Sequence, residues 1–150
     1  MASAATTMAI TSGRNFWCLC SSILLVVATP LAAAETKLFD SAQVTPTSEY
    51  TFGIEGPAAD LDGNLFVVNF GKPGTIGRLP AGGAASEAFT ALPEGSVGNA
   101  IRFDRNSTMF VADYKRHNIF VIPKGETEPA VWFHSDEMSQ PNDITIARDG

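Results

Sequence analysis

The stretch Gln140–Gly150, QPNDITIARDG, decides how this chain is read, because it occurs in altered form twice before. Gly98–Tyr114 is GNAIRFDRNSTMFVADY, and Glu55–Phe70 is EGPAADLDGNLFVVNF. Alignment places Glu55, Asn99 and Asn142 at one phase, 44 and then 43 residues apart. Asp60 and Asp104 share a second phase, as do Phe66 with Phe110 and Asn69 with Asp113. Short strands recurring at that spacing predict the blades of an all-β propeller.

The residues between these blocks fit the same plan. In the first unit, Ala58–Leu61, Leu65–Asn69, Thr75–Leu79 and Ser86–Thr90 read as strands, with a turn at Asp62-Gly63-Asn64 and a Gly/Pro loop over Phe70–Gly74. In the second, Ala100–Phe103, Met109–Ala112, Asn118–Ile122 and Ala130–Phe133 are the strands, and the run from Pro123 to Pro129 is a polar turn. Tyr50–Phe52 is a further short strand candidate. The alanines of Ala81–Ala91 do not make a helix, given the neighbouring glycines and prolines. Trp132 and Phe133 are expected to pack in the core between blades. A third unit opens at Asn142, with Ile144, Ile146 and Ala147 starting a strand and Asp149-Gly150 a turn. About two blades and the start of a third are therefore expected, where a closed ring has four to eight, so the sequence reads as the N-terminal part of a longer propeller. A small sandwich of the same strands is the alternative.

The start of the chain has another character. Met1–Asn15 carries one base, Arg14, and no acid; Phe16–Val27 is apolar; Ala32-Ala33-Ala34 offers a cleavage site. That pattern predicts a signal peptide over residues 1–34, and the apolar run is short for a membrane span of roughly 20 residues. A secreted or periplasmic location follows, with no stable membrane span after cleavage. Residues 35–49 form a lead-in segment and residues 50–150 the propeller part. Cleavage removes both cysteines, Cys18 and Cys20, which excludes disulfide and thiolate chemistry from the mature segment. That segment keeps nine of ten Lys/Arg and all sixteen Asp/Glu, a net charge of −7. Such acidity argues against nucleic acid as a partner and suits a cation.

Equivalent residues of successive blades converge around one axis, so Glu55, Asn99 and Asn142 are expected at one mouth of a channel. One carboxylate with amide oxygens is a hard-oxygen site, suited first to Ca²⁺ and tolerable for Mg²⁺, Mn²⁺ or Zn²⁺. The alternative for the two asparagines is capping of strand entries through backbone hydrogen bonds. Arg102 lies on the inner strand, placed either to bind an oxyanion or sugar hydroxyls or to form a surface ion pair; Asp143 either holds the Asn142 loop or assists proton transfer. Asn69 and Asp113 read as strand-end hydrogen bonders. His117 and His134 have no HxH, HExxH or cysteine partner and do not form a zinc motif. Asn106-Ser107-Thr108 is a glycosylation sequon.

Together, the three quoted blocks resemble the SMP-30/gluconolactonase family of calcium-dependent six-bladed β-propellers, over most of Tyr50–Gly150. The resemblance implies that Glu55 is a metal ligand, that Asn142 contacts substrate or a water near the metal, and that Asn99 is a further channel residue. It implies hydrolysis of a sugar lactone, with a lactone or sugar acid as small-molecule partner. The family's other metal ligands and its catalytic aspartate come from later blades, so the 150-residue chain is expected to be inactive by itself and no catalytic residue is assigned. A noncatalytic propeller that binds a ligand or a protein is the rival reading.

Overall fold

The computed structural model describes residue 39 and residues 41–148. The expected signal peptide and the Asp149-Gly150 turn lie outside the described residues. Among the described residues there is no helix, and so none long and apolar enough to cross a membrane.

Residues 41–148 form two four-stranded antiparallel sheets, each a meander in chain order. The first holds β1 (Ala58–Ala59), β2 (Leu65–Val68), β3 (Thr75–Leu79) and β4 (Glu87–Ala91). The second holds β5 (Gly98–Phe103), β6 (Met109–Asp113), β7 (Asn118–Ile122) and β8 (Ala130–His134). Alternation explains the central strands: β2 is half-buried at Leu65 and Val67 and buried at Phe66 and Val68. Strand β6 goes further, burying Met109, Val111, Ala112 and Asp113. One apolar cluster joins the sheets, with Phe66, Val68 and Ile76 meeting Ile101, Val111 and Phe120. Phe66 stands edge-on to Phe89 of its own sheet, with ring centroids 5.0 Å apart, and 5.1 Å from Phe103 of the other.

The hairpins β1–β2 and β5–β6 are built alike. Asp60 Oδ1 accepts the backbone N–H of Asp62 and Asn64, at 3.0 and 2.9 Å. Asp104 Oδ1 accepts those of Asn106 and Thr108, both at 2.8 Å. A carboxylate at the first turn position supplies the acceptor that the tight turn lacks. Both carboxyls are held below their ordinary range. Burial opposes this but is outweighed: for Asp60 by hydrogen bonds from Asn64 and Asp62 and the Lys124 charge, for Asp104 by those from Thr108 and Asn106.

Three expectations are corrected. Tyr50–Phe52 is not a strand: Tyr50 makes one bridge to Phe70. Asn69 leaves the β region (φ +64°) and so ends the partner strand, while Gly53 (φ +83°) turns the chain away beyond Phe52. Residues 144–147 form no strand. The opening strand of each sheet takes its ladder from the strand that follows it, and these four residues have no such partner among the described residues. Trp132 and Phe133 are not core residues, being 64 % and 49 % exposed. They belong to β8, the outer strand of its sheet, where Trp132 packs edge-on against Phe110 at 5.6 Å. The outer strand of the first sheet, β4, has no fully buried residue either.

Candidate functional site

The chain enters β1 through Glu55-Gly56-Pro57, and the entry rests directly on β5. The Gly56 carbonyl accepts the Ile101 N–H at 3.1 Å. A Cβ on Gly56 would lie 2.4 Å from both the Asn99 carbonyl oxygen and the Ala100 Cα. Backbone on backbone, at φ +47°, is a contact for glycine alone. It brings Glu55 to the start of β5.

Asn99 is delivered there by an irregularity in the ladder. Gly98 pairs with Asp113 and Ala100 with Ala112, so Asn99 is the extra residue of a β-bulge. A bulge re-aims the side chain it carries. Asn99 Nδ2 donates to Asn142 Oδ1. Three residues along, Arg102 Nη2 meets Asp143 Oδ1 at 2.6 Å, and its Nη1 donates to the Ile101 carbonyl at 2.7 Å. Asp143 Oδ1 also accepts its neighbour's N–H, that of Ile144, at 2.8 Å.

Glu55, Gly56, Asn99, Arg102, Asn142 and Asp143 thus line one open cleft of about 210 Å³. All four residues singled out in the sequence as metal- or substrate-binding are present in it. Asn99 and Arg102 are half-buried, while Glu55, Asn142 and Asp143 are exposed. The Glu55 carboxylate has no hydrogen-bond or ion-pair partner among the described residues. Arg102 forms the ion pair considered for it, through Nη2, and Asp143 holds both Arg102 and the Asn142 loop. With Arg102 and Asp143 mutually neutralised, the remaining charge of the cleft is that of Glu55.

The donor set fits part of a hard-cation shell: one unpartnered carboxylate, with the Asn99 Oδ1 left over because its amide N–H is used on Asn142. Among the described residues no three His, Cys, Asp or Glu side chains gather into a metal-binding group. The cleft would therefore supply a minority of the six to eight oxygens that Ca²⁺ takes.

Other candidates lie elsewhere. Asp113 is fully buried and accepts the N–H groups of Val97, Lys115 and Arg116, at 3.0 to 3.2 Å, and Asn118 Nδ2 at 2.9 Å. Asn69 donates to the Gly53 carbonyl at 2.8 Å. Both close strand ends, as expected. His117 occupies a left-handed turn position (φ +57°), and His134 bonds Asn118 at 2.8 Å. The Asn99 bulge, and Asp143 as the ion-pair partner of Arg102, were not read from sequence. The available signal was the step between repeats, which sets Asp143 immediately after Asn142, opposite the entry of β5.

No protein-family model matches the chain, and no curated protein matches it either.

Proposed function

We propose that the two sheets are successive blades of a six-bladed β-propeller of the SMP-30/gluconolactonase kind, and that the Glu55 cleft is part of a metal-dependent site for hydrolysing a sugar lactone. The observation that carries the reading is the meeting of Glu55, Asn99 and Asn142, spaced 44 and 43 residues apart, in a single cleft. A repeat needed only for packing would place its recurring polar residues at strand ends, as Asn69 and Asp113 are placed.

In this reading Glu55 holds a divalent ion, Ca²⁺ by preference, with Asn99 as an amide ligand beside it. The bound ion would polarise the lactone carbonyl and lower the pKa of a water. Asn142, with the Arg102 N–H groups that Asp143 and the Ile101 carbonyl do not take, faces the hydroxyls and carbonyl oxygen of the sugar ring and orients it. Water adds to the carbonyl carbon, the ring C–O bond breaks, and a hydroxy acid leaves. The proton-handling carboxylate and the remaining ligands belong to other blades of the ring. The exported location is part of the same proposal and rests on residues 1–34.

The test is hydrolysis of a panel of sugar lactones by a polypeptide carrying all six blades, with Ca²⁺, Mn²⁺ or Zn²⁺ added. A metal-dependent rate that is lost in Glu55→Gln supports the reading. No metal-dependent rate on any lactone removes the enzyme and leaves a binding propeller.

A further inference from the structure

The sequon Asn106-Ser107-Thr108 sits where the fold can carry a large attachment, and the function proposed above does not use it. It forms the tip of the β5–β6 hairpin. No other Asn in the sequence begins an Asn-x-Ser/Thr with a non-proline middle residue. Asn106 is exposed. Its backbone N–H is bound to Asp104 Oδ1 at 2.8 Å, which fixes the turn, while its side-chain amide has only a 3.5 Å contact with Asp104 Oδ2. The group that would be modified is therefore the loosely held part of a rigid turn. The first hairpin lacks an acceptor at this place, having Asp62-Gly63-Asn64 where the second has Asn106-Ser107-Thr108.

Position along the strand matters as well. Asn106 follows the end of β5 and is not among the residues that line the Glu55 cleft, to which that strand contributes Asn99 and Arg102.

We propose that Asn106 is an N-glycosylation site, used when the chain enters a secretory lumen. The inference rests on the exported reading of residues 1–34 and is independent of the lactonase reading. The donor is a lipid-diphosphate-linked oligosaccharide. The Asn106 amide nitrogen bonds to the anomeric carbon of the sugar as the carbon–oxygen bond to the diphosphate breaks. The lipid diphosphate departs with the bonding electrons, and the amide gives up one proton. In the folded hairpin the backbone N–H groups of Asn106 and Thr108 are both bound to Asp104 Oδ1 at 2.8 Å. The sequon backbone is thus fixed in the tight turn once the hairpin closes, which places the transfer before folding, during translocation.

The experiment is cell-free translation of the full chain with eukaryotic microsomes, using the native leader and, in parallel, a replacement leader of proven cleavage. Protease protection reports entry into the lumen. A slower-migrating band sensitive to peptide-N-glycosidase reports the glycan. The expected result is a protected, shifted wild-type chain, with the shift absent in both Asn106→Gln and Thr108→Ala and retained in Thr108→Ser. A protected chain without the shift, carried in by the replacement leader, overturns the proposal. Failure of the native leader alone, with a shift under the replacement, faults the reading of residues 1–34 and upholds Asn106 as an acceptor.

Discussion

Asn69 and Asp113 hold the same place in successive sheets and act with opposite polarity. Asn69 Nδ2 donates to the Gly53 carbonyl, and Asp113 Oδ1 accepts the Val97 N–H; Gly53 and Val97 stand 44 residues apart, as do Asn69 and Asp113. The tether is kept while its donor and acceptor exchange sides.

Asp113 gathers four donors in a fully buried position, so removing it strands all of them. Asp113→Ala is expected to cost about 3 kcal/mol, as for a buried hydrogen-bonded charge. Asp113→Asn keeps one oxygen for the three backbone N–H groups and is expected to lose less than half as much. Urea denaturation of the two variants checks the order, and equal losses would contradict this account of the site.

Acid sensitivity follows from the hairpin carboxylates. Asp60 and Asp104 have folded pKa values below the ordinary carboxylate value of about 3.9. A depressed folded value means that the unfolded chain takes up the proton first as pH falls. Their stabilisation is therefore complete above that ordinary value and disappears as pH drops through the lower folded one. Stability measured from pH 6 downward should fall less steeply in Asp60→Asn and Asp104→Asn than in the parent. Unchanged steepness in both would remove these groups from the acid response.

Gly56→Ala tests the contact between the entry to β1 and β5. The added carbon meets backbone atoms at 2.4 Å, which cannot swing aside. Strain at a left-handed position and loss of the Ile101 bond give an expected cost of about 2–3 kcal/mol. Hydrogen exchange at the Ile101 amide should accelerate more than exchange at Val111, which lies in the middle of the sheet. Equal acceleration at both amides would indicate general loosening.

Arg102→Met separates positioning from ion-pair stability, because Asp143 is solvent-exposed on the other side of the pair. An exposed pair contributes below about 1 kcal/mol, so little stability should be lost. Under the proposed function, KM for a sugar lactone should rise about tenfold in the six-bladed polypeptide, with kcat changed less. An unaltered KM would assign Arg102 to structure alone.

Much of the sheet structure was legible because strand and turn chemistry alternate so plainly here. Thr75–Leu79 and Asn118–Ile122 were read with the bounds the structure has, since Gly/Pro or Lys/Arg-rich turns flank each. Trp132 and Phe133 show the limit: their apolarity states a preference, but burial was decided by the outer position of β8. Tyr50–Phe52 has strand-forming residues, yet its pairing ends where Asn69 turns, a fact about another segment. In the cleft, the repeat phase identified Glu55, Asn99 and Asn142, while the pairing of Arg102 with Asp143 depends on how two chain entries pack and has no local signature.

The bulge at Asn99 has a consequence for how such a chain changes over time. Glu55 and Asn142 lie outside any strand, and Asn99 is the one residue of its strand that the ladder skips. None of the three has a cross-strand partner to satisfy, so each can be exchanged without disturbing the register of Ile101 or Val111 beside it. The cleft thus draws its polar residues from positions that the ladders leave free, and one phase of the repeat holds an acid in the first unit and amides in the next two.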